Sequence, residues 1–201
     1  MPPLSEPLPT MRRTLALLLL LLRAGASSGE LRLPLTATAP QLNDEEKFST
    51  HMPFHLRCDA CRAVAYQMWQ HLANAEAKLQ SSGARGRLEL SESEYTDVLD
   101  RCCAQPWQDY GVREVNHVKR LIGPGLNKDP EPRISVIVKG GLWPIRLSRI
   151  CLHYVGEFGE DQIYETHQQG QGSLEALLCG QPRGPCSEEV LEEVLPPRDE
   201  L

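Results

Sequence analysis

Seven cysteines constrain this chain more than any other feature, because six of them can form three covalent links between distant segments. They are Cys58, Cys61, Cys102, Cys103, Cys151, Cys179 and Cys186. Six paired cysteines allow fifteen connectivities in principle, and an odd total leaves at least one thiol unpaired. Disulfides persist in oxidising compartments and are rare in the cytosol. The compartment therefore decides whether these residues are cross-links.

The N-terminal residues 1–26 have the three parts of a secretory signal peptide. Two arginines precede the apolar run 15–22, and the small residues 24–26 form an A-x-A cleavage site. We expect cleavage after Ala26, with Met11 as an alternative start that would make the preceding residues dispensable. The apolar run is too short to span a bilayer, which takes about 20 helical residues. We therefore expect a translocated chain with no membrane span.

The C-terminal residues match the signals that return proteins to the endoplasmic reticulum lumen. They are Arg198, Asp199, Glu200 and Leu201. Arginine keeps the cation that lysine carries in the K-D-E-L form, and the remaining three residues are intact. The two ends together predict residence in the lumen, with minor secretion. Because that compartment is oxidising, most cysteines should be in disulfides.

The composition argues against a nucleic-acid-binding protein and for a cross-linked core. The formal charge is −6 and the pI is about 5.5, whereas nucleic-acid-binding domains are usually basic. Aromatic residues make up 5% of the chain, while 16 prolines and 15 glycines interrupt it. A core of this kind is modest, so disulfides should contribute much of the stability.

Apolar periodicity predicts a mostly helical domain over residues 55–187. An irregular lead-in, residues 27–54, should precede it, and an acidic tail, residues 188–201, should follow. The strongest helix has apolar residues at alternating spacings of three and four, and the next begins with a capping box between Ser91 and Glu94. The predicted helices cover residues 57–80, 91–103, 112–121, 147–168 and 173–179. A strand is predicted only for residues 134–138.

The acidic run Asp44, Glu45 and Glu46 in the lead-in is interpreted as a solvated face. Calcium loops place their ligands at alternate positions around a glycine turn, which this run lacks. The histidines do not form a ligand-like pair on one helix face. We therefore expect no metal and no cofactor.

Helical spacing reduces the number of possible pairings among four of the cysteines. Cys58 and Cys61 lie one turn apart on the apolar stripe of the first long helix, so both should face the same neighbouring element. Cys179 and Cys186 form a second close pair near the end of the domain. Nested bridges, Cys61 to Cys179 and Cys58 to Cys186, would tie the first long helix to the last.

Cys151 would then pair with Cys102 or Cys103. Nested bridges on a small helical bundle resemble the saposin-like fold. Together with the signal peptide, a CxxC-bearing helix, a long irregular insertion and the retrieval tail, they are similar to the Canopy family of lumenal saposin-like proteins. The runs that carry the resemblance are residues 55–69, 107–115 and 156–164. The family pattern implies that Cys103 bridges to Cys151 and that Cys102 is a free thiol.

The same resemblance implies a chaperone or cochaperone that promotes assembly and secretion of immunoglobulin M in B cells and plasma cells. Its implied partners are immunoglobulin heavy and light chains, endoplasmin, BiP and the retrieval receptor. The resemblance also implies effects on calcium stores and on integrin activation. Phe54, Trp107 and Trp143 are aromatic candidates for a client surface, although large aromatics are more often packing residues.

The alternative function is a thiol–disulfide oxidoreductase acting through Cys58 and Cys61. Catalytic CxxC pairs have a low thiol pKa at a helix N-terminus, usually in a thioredoxin-like βαβ setting. The sequence lacks that βαβ pattern, and the charge of Asp59 disfavours a thiolate. We therefore expect weak exchange activity at most and no dedicated enzyme. A lipid-binding saposin fits less well with retrieval to a neutral lumen.

Overall fold

The computed structural model describes residues 39–81, 89–115, 117–126 and 136–187. Within these ranges the chain forms six α-helices, one 3₁₀ helix and three strands. The helices are α1 (Asp44–Phe48), the 3₁₀ helix (Phe54–Leu56), α2 (Arg57–Ser81), α3 (Glu92–Cys103), α4 (Trp143–Phe158), α5 (Glu160–His167) and α6 (Gln171–Cys179). The strands are β1 (Gly111–Val115), β2 (Val118–Ile122) and β3 (Val138–Lys139). The predicted mostly helical, disulfide-linked fold is confirmed. The predicted signal peptide and retrieval signal lie outside the described residues and stay predictions.

α2 is the central helix, and it packs against α3, α4, α5 and α6. The middle of its predicted apolar stripe is buried, since Cys61, Met68 and Leu72 have no exposed surface, whereas Ala75 and Leu79 near the end of the helix are half-buried. The stripe is wider than the sequence suggested, because Ala60 and Val64 are also fully buried. The helix therefore presents apolar surface to several neighbours at once, as expected for the middle of a bundle.

The predicted capping box begins α3. The Glu94 carboxylate accepts a hydrogen bond from the Ser91 backbone N–H at 2.7 Å, which satisfies a donor that the helix itself cannot. Val98 and Leu99 of α3 are buried in the core. This box fixes where the helix starts.

Residues 112–121 were predicted to form a helix, and that prediction is wrong. They form an antiparallel hairpin in which Val112 is opposite Leu121 and Val115 is opposite Val118. β-branched residues favour strands, and a spacing of three between valines does not by itself distinguish the two structures. His117 lies in the turn with φ 64°. β1 also pairs with β3, so the sheet order is β2-β1-β3.

The predicted strand is shorter than expected. Val138 alone of residues 134–138 belongs to β3, whose other member is Lys139. Residues 134 and 135 lie outside the described ranges. Gly111 pairs with Lys139 and Val112 with Val138, so this short strand extends the hairpin into a three-stranded sheet.

The predicted helix 147–168 is two helices separated at Gly159, where φ is 77°. A left-handed backbone of this kind is readily adopted by glycine and ends α4. α4 starts earlier than predicted, at Trp143, with a proline in its first turn, where a missing N–H has no cost. α6 ends at Cys179 and is capped by Gly180, as predicted.

The lead-in is not irregular throughout, because Asn43 caps a short helix within it. Glu46 N–H donates to Asn43 Oδ1 at 2.8 Å, and Asn43 N–H donates to Glu46 Oε2 at 2.7 Å. The solvated-face interpretation holds for Asp44 and Glu45, which are exposed, and is wrong for Glu46, which is 2% exposed. Its carboxylate accepts from Lys119 Nζ at 2.6 Å. Through Glu46, the acidic run therefore attaches the lead-in to the hairpin.

Candidate functional site

The CxxC pair lies in the first turns of α2, and each cysteine is bridged to the C-terminal part of the fold. Cys58 is bonded to Cys186 and Cys61 to Cys179, with Cα–Cα distances of 4.7 Å and 5.8 Å. These are the nested bridges expected from the sequence. No disulfide joins Cys58 to Cys61, so the structure does not show the pair as an active-site dithiol or its oxidised form.

The third bridge joins α3 to α4 through Cys103 and Cys151, whose Cα atoms are 5.2 Å apart. The residues alone left Cys102 and Cys103 as alternatives, and the structure has the pairing implied by the family resemblance. Trp107 Nε1 and Ser148 Oγ both donate to the Cys103 carbonyl oxygen. These bonds hold the backbone of the bridged cysteine in place.

Cys102 carries a free thiol that is fully buried. Burial raises the pKa of this thiol to about 12. Nucleophilic attack and metal binding need the thiolate, which is essentially absent near neutral pH at such a pKa. Cys102 therefore behaves as a small apolar core residue.

Asp59, between the two CxxC cysteines, has a structural role. Its carboxylate accepts from Arg120 Nε at 2.7 Å, from Arg120 Nη2 and from the Leu121 N–H at 3.1 Å. Asp59 is 4% exposed, so these donors replace the water that its carboxylate has lost. The charge beside the cysteines is used to attach the β2 strand to α2.

A groove of about 660 Å³ lies beside the Cys58–Cys186 bridge. Its walls are the segment from Thr50 to Arg57, the outer face of α4, and the loop between Cys179 and Cys186. The apolar side chains that line it are Met52, Phe54, Ile150, Tyr154, Phe158 and Leu178. A volume of this size is typical of ligand or peptide sites. The groove is the candidate functional site.

Four arginines also line this groove: Arg57, Arg146, Arg149 and Arg183. The single carboxylate among the described lining residues is Glu157, which lies 3.3 Å from His153 Nε2. The groove is therefore basic, although the whole chain has a formal charge of −6.

Arg146 is the buried arginine of the groove, with 1% of its surface exposed. Its Nη2 donates to the backbone oxygens of Glu46 and Ser49, and its guanidinium lies 4.3 Å from the centre of the Trp143 ring. Burial lowers the pKa of this group, although Glu46 and Glu45 oppose the change. Arg146 therefore joins α4 to the lead-in, which forms one wall of the groove.

The other three arginines are exposed. The Arg57 guanidinium lies 5.2 Å from the centre of the Phe54 ring, and Arg149 Nη1 donates to the Thr50 hydroxyl. Arg183 stands in the loop between the bridged cysteines with φ 66°. Within the described ranges, none of these three guanidinium groups forms an ion pair.

Only one aromatic candidate from the sequence belongs to this site. Trp107 and Trp143 are 3% and 2% exposed and are packing residues, as such aromatics usually are. Phe54 is half-buried and lines the groove. The groove was not predicted from the sequence, although Arg149, His153 and Glu157 recur every four residues and so mark one polar face of α4.

The part of the chain that the structure describes contains no group of three or more His, Cys, Asp or Glu side chains placed to hold a metal ion. Across the same residues, no helix combines the length and the apolar character needed to cross a bilayer.

The chain is similar to mammalian proteins named marginal zone B- and B1-cell-specific protein. It is 72% identical to the human protein over 182 residues, which are 90% of this chain and 96% of the human protein. The cow protein is 67% identical over 182 residues, with the same coverage of each chain. The mouse protein is 63% identical over 192 residues, 95% of this chain and 100% of the mouse protein. No protein-family model matches the chain.

Proposed function

Since this chain belongs to the family of marginal zone B- and B1-cell-specific proteins, we propose that it is a chaperone or cochaperone for immunoglobulin M assembly. The observation that carries the proposal is the use of Cys58 and Cys61 in bridges to Cys186 and Cys179. Cysteines that are bonded in structural disulfides have no free thiols for repeated thiol–disulfide exchange. The protein therefore acts through its surface, by binding unfinished chains.

The proposed place of action is the endoplasmic reticulum lumen. Residues 1–26 and residues 198–201 support this as sequence signals, and the disulfides fit an oxidising compartment. The proposed partners are immunoglobulin heavy and light chains, endoplasmin, BiP and the retrieval receptor. They rest on the family resemblance, as do the proposed effects on calcium stores and integrin activation.

The groove supports a binding role physically. The half-buried Phe54, Ile150 and Phe158 leave apolar surface open in it, and three exposed arginines line the same groove. Incomplete chains expose apolar residues that a folded protein would bury, and an open apolar surface can cover them temporarily. The bridges hold this surface in one shape before a client arrives.

A crosslinked pull-down from antibody-secreting cells tests the proposed function. We expect immunoglobulin heavy and light chains and endoplasmin to be recovered with the protein. As a matched control, a lumenal protein of similar size with the same last four residues should recover the retrieval receptor but not immunoglobulin. Absence of immunoglobulin chains and of endoplasmin from the crosslinked material would contradict the proposal.

The location has its own test. Removing residues 198–201 should move the protein from the cells into the medium, because the receptor reads these residues directly. Replacing Arg198 by Lys should keep it in the cells. Equal retention with and without residues 198–201 would contradict a receptor-read signal.

A further inference from the structure

We propose that the groove between residues 50–57, α4 and the Cys179–Cys186 loop binds extended peptide segments of a partner protein that carry both acidic and apolar side chains. The inference goes beyond the assembly role, because it specifies the chemistry that the groove recognises. It holds whether or not the partner is an immunoglobulin chain.

The groove carries an excess of positive charge. Two exposed arginines outside the groove are paired with carboxylates: Arg62 lies 3.0 Å from Glu175, and Arg120 pairs with Asp59. In contrast, three exposed guanidinium groups of the groove have no ion-pair partner among the described residues. In an acidic protein, such a local excess of positive charge attracts acidic ligands and repels basic ones.

The positive charges belong to arginines, which favour ligands that carry carboxylates. A guanidinium group presents several N–H donors in a planar fork that matches a carboxylate, and such paired bonds are stronger than neutral hydrogen bonds. Arg149 and Arg183 come from different elements, α4 and the loop after α6. A ligand with two or more separated carboxylates can therefore bridge the two walls.

The apolar residues of the groove favour a ligand that also carries apolar side chains. The half-buried Phe54, Ile150 and Phe158 leave apolar surface open to a ligand, whereas Tyr154 and Leu178 are 8% and 1% exposed and belong to the core. Successive side chains of an extended peptide point to opposite sides. A segment that alternates acidic and apolar residues can thus direct one set to the arginines and the other to the lining.

The buried Arg146 is a structural part of the groove. Its Nη1 atom has no hydrogen-bond partner in the structure, while its other nitrogens are bonded to backbone oxygens of the lead-in. A buried polar group without a partner has a free-energy cost. Because Nη1 is shielded from solvent, Arg146 contributes to the site by holding the lead-in wall in position and not by contacting the ligand.

The groove also needs little rearrangement to bind. Its C-terminal wall is held by the Cys58–Cys186 bridge, and Gly184 N–H donates to Gln181 O at 2.7 Å within the loop. Its lead-in wall is attached to α4 by Arg146. Preformed walls reduce the ordering cost that weakens binding to a flexible surface.

The test measures fluorescence anisotropy with the purified protein and a labelled probe peptide of alternating glutamate and leucine. A peptide with glutamine in place of glutamate is the ligand control. The double variant Arg149→Glu with Arg183→Glu should weaken binding of the glutamate peptide at least tenfold. Both residues are exposed, so the fold should be retained, which circular dichroism checks.

The matched control is Arg101→Glu, which reverses an exposed arginine of α3 outside the groove. It should change the affinity less than twofold, and moderate salt should weaken binding to the wild type. An equal loss in Arg101→Glu would overturn the proposal, as would equal binding of the glutamine peptide. Removal of residues 188–201 should leave the affinity unchanged. A tenfold gain on that removal would show that the acidic tail of this chain occupies the groove, and would also overturn the proposal.

Discussion

Asp59 separates the two cysteines of the CxxC sequence, and its carboxylate is bonded to Arg120 and to the Leu121 N–H. From the sequence alone, this residue is a charge that opposes a thiolate. The structure gives it a second role, since it attaches the hairpin to α2 across 61 residues of sequence. A side chain between two cysteines therefore helps to hold the fold together.

Replacing Arg120 by Met should destabilise the protein by about 1–3 kcal/mol, because the buried carboxylate loses its charged partner. Arg62→Met is the matched control: its partner Glu175 is 43% exposed, so the loss should be at most about 1 kcal/mol. Urea unfolding midpoints measure both. Equal midpoints for the two variants would contradict a structural role for the Asp59–Arg120 pair.

At the scale of elements, α1 is attached to the rest of the fold by one carboxylate and one guanidinium group. Burial by itself would raise the pKa of Glu46, but bonds from Lys119 and Asn43 and the charges of Lys119 and His55 outweigh it, and the pKa is lowered. The folded protein therefore holds this group charged more strongly than the unfolded chain does. Its stabilisation is complete above the ordinary pKa of 4.5 and is lost as the pH falls below it.

Acidification should therefore loosen α1 selectively. Amide hydrogen exchange of Asp44–Phe48, corrected for the intrinsic rate at each pH, should be slow at pH 6 and faster at pH 3. In Glu46→Gln the exchange should already be faster at pH 6 and should change less with pH. The control Glu45→Gln removes an exposed neighbouring carboxylate and should behave like the wild type. Identical exchange profiles for the two variants would contradict the anchoring role of Glu46.

The elements also show what local sequence information can and cannot predict. The α2 stripe and the Ser91–Glu94 capping box depend on residues within a few turns, and both were predicted correctly. The burial of Glu46 depends on Lys119, which is 73 residues away, so no local pattern could indicate it. The hairpin was missed because the spacing of Val112, Val115 and Val118 suits a helix face as well as a strand pair.

At the scale of the whole molecule, nested disulfides hold the two ends of the described domain together. They close sequence separations of 128 and 118 residues. The groove is a product of this closure, since its walls come from the lead-in, from α4 and from the loop after α6. The cysteine spacing could predict which segments meet. It could not predict which arginines face the space between them.

Nested bridges should contribute non-additively to stability. While one bridge remains, the other bridge closes a loop of only about ten residues. Removing that other bridge should lower the free energy of unfolding by about 3 kcal/mol. Removing both opens a loop of more than a hundred residues as well, so the total should be about 8 kcal/mol rather than about 6. Serine variants of each bridge and of both, compared by urea unfolding, measure the difference. Strictly additive losses would contradict the nested arrangement.

The central claim is that the CxxC cysteines are structural cross-links. Peptide mapping of the unreduced protein, with thiol labelling before and after denaturation, tests it most directly. We predict the pairs Cys58–Cys186, Cys61–Cys179 and Cys103–Cys151, with no thiol labelled in the native protein and Cys102 labelled after unfolding. A Cys58–Cys61 disulfide, or three labelled thiols in the native protein, would contradict the account and favour the oxidoreductase alternative.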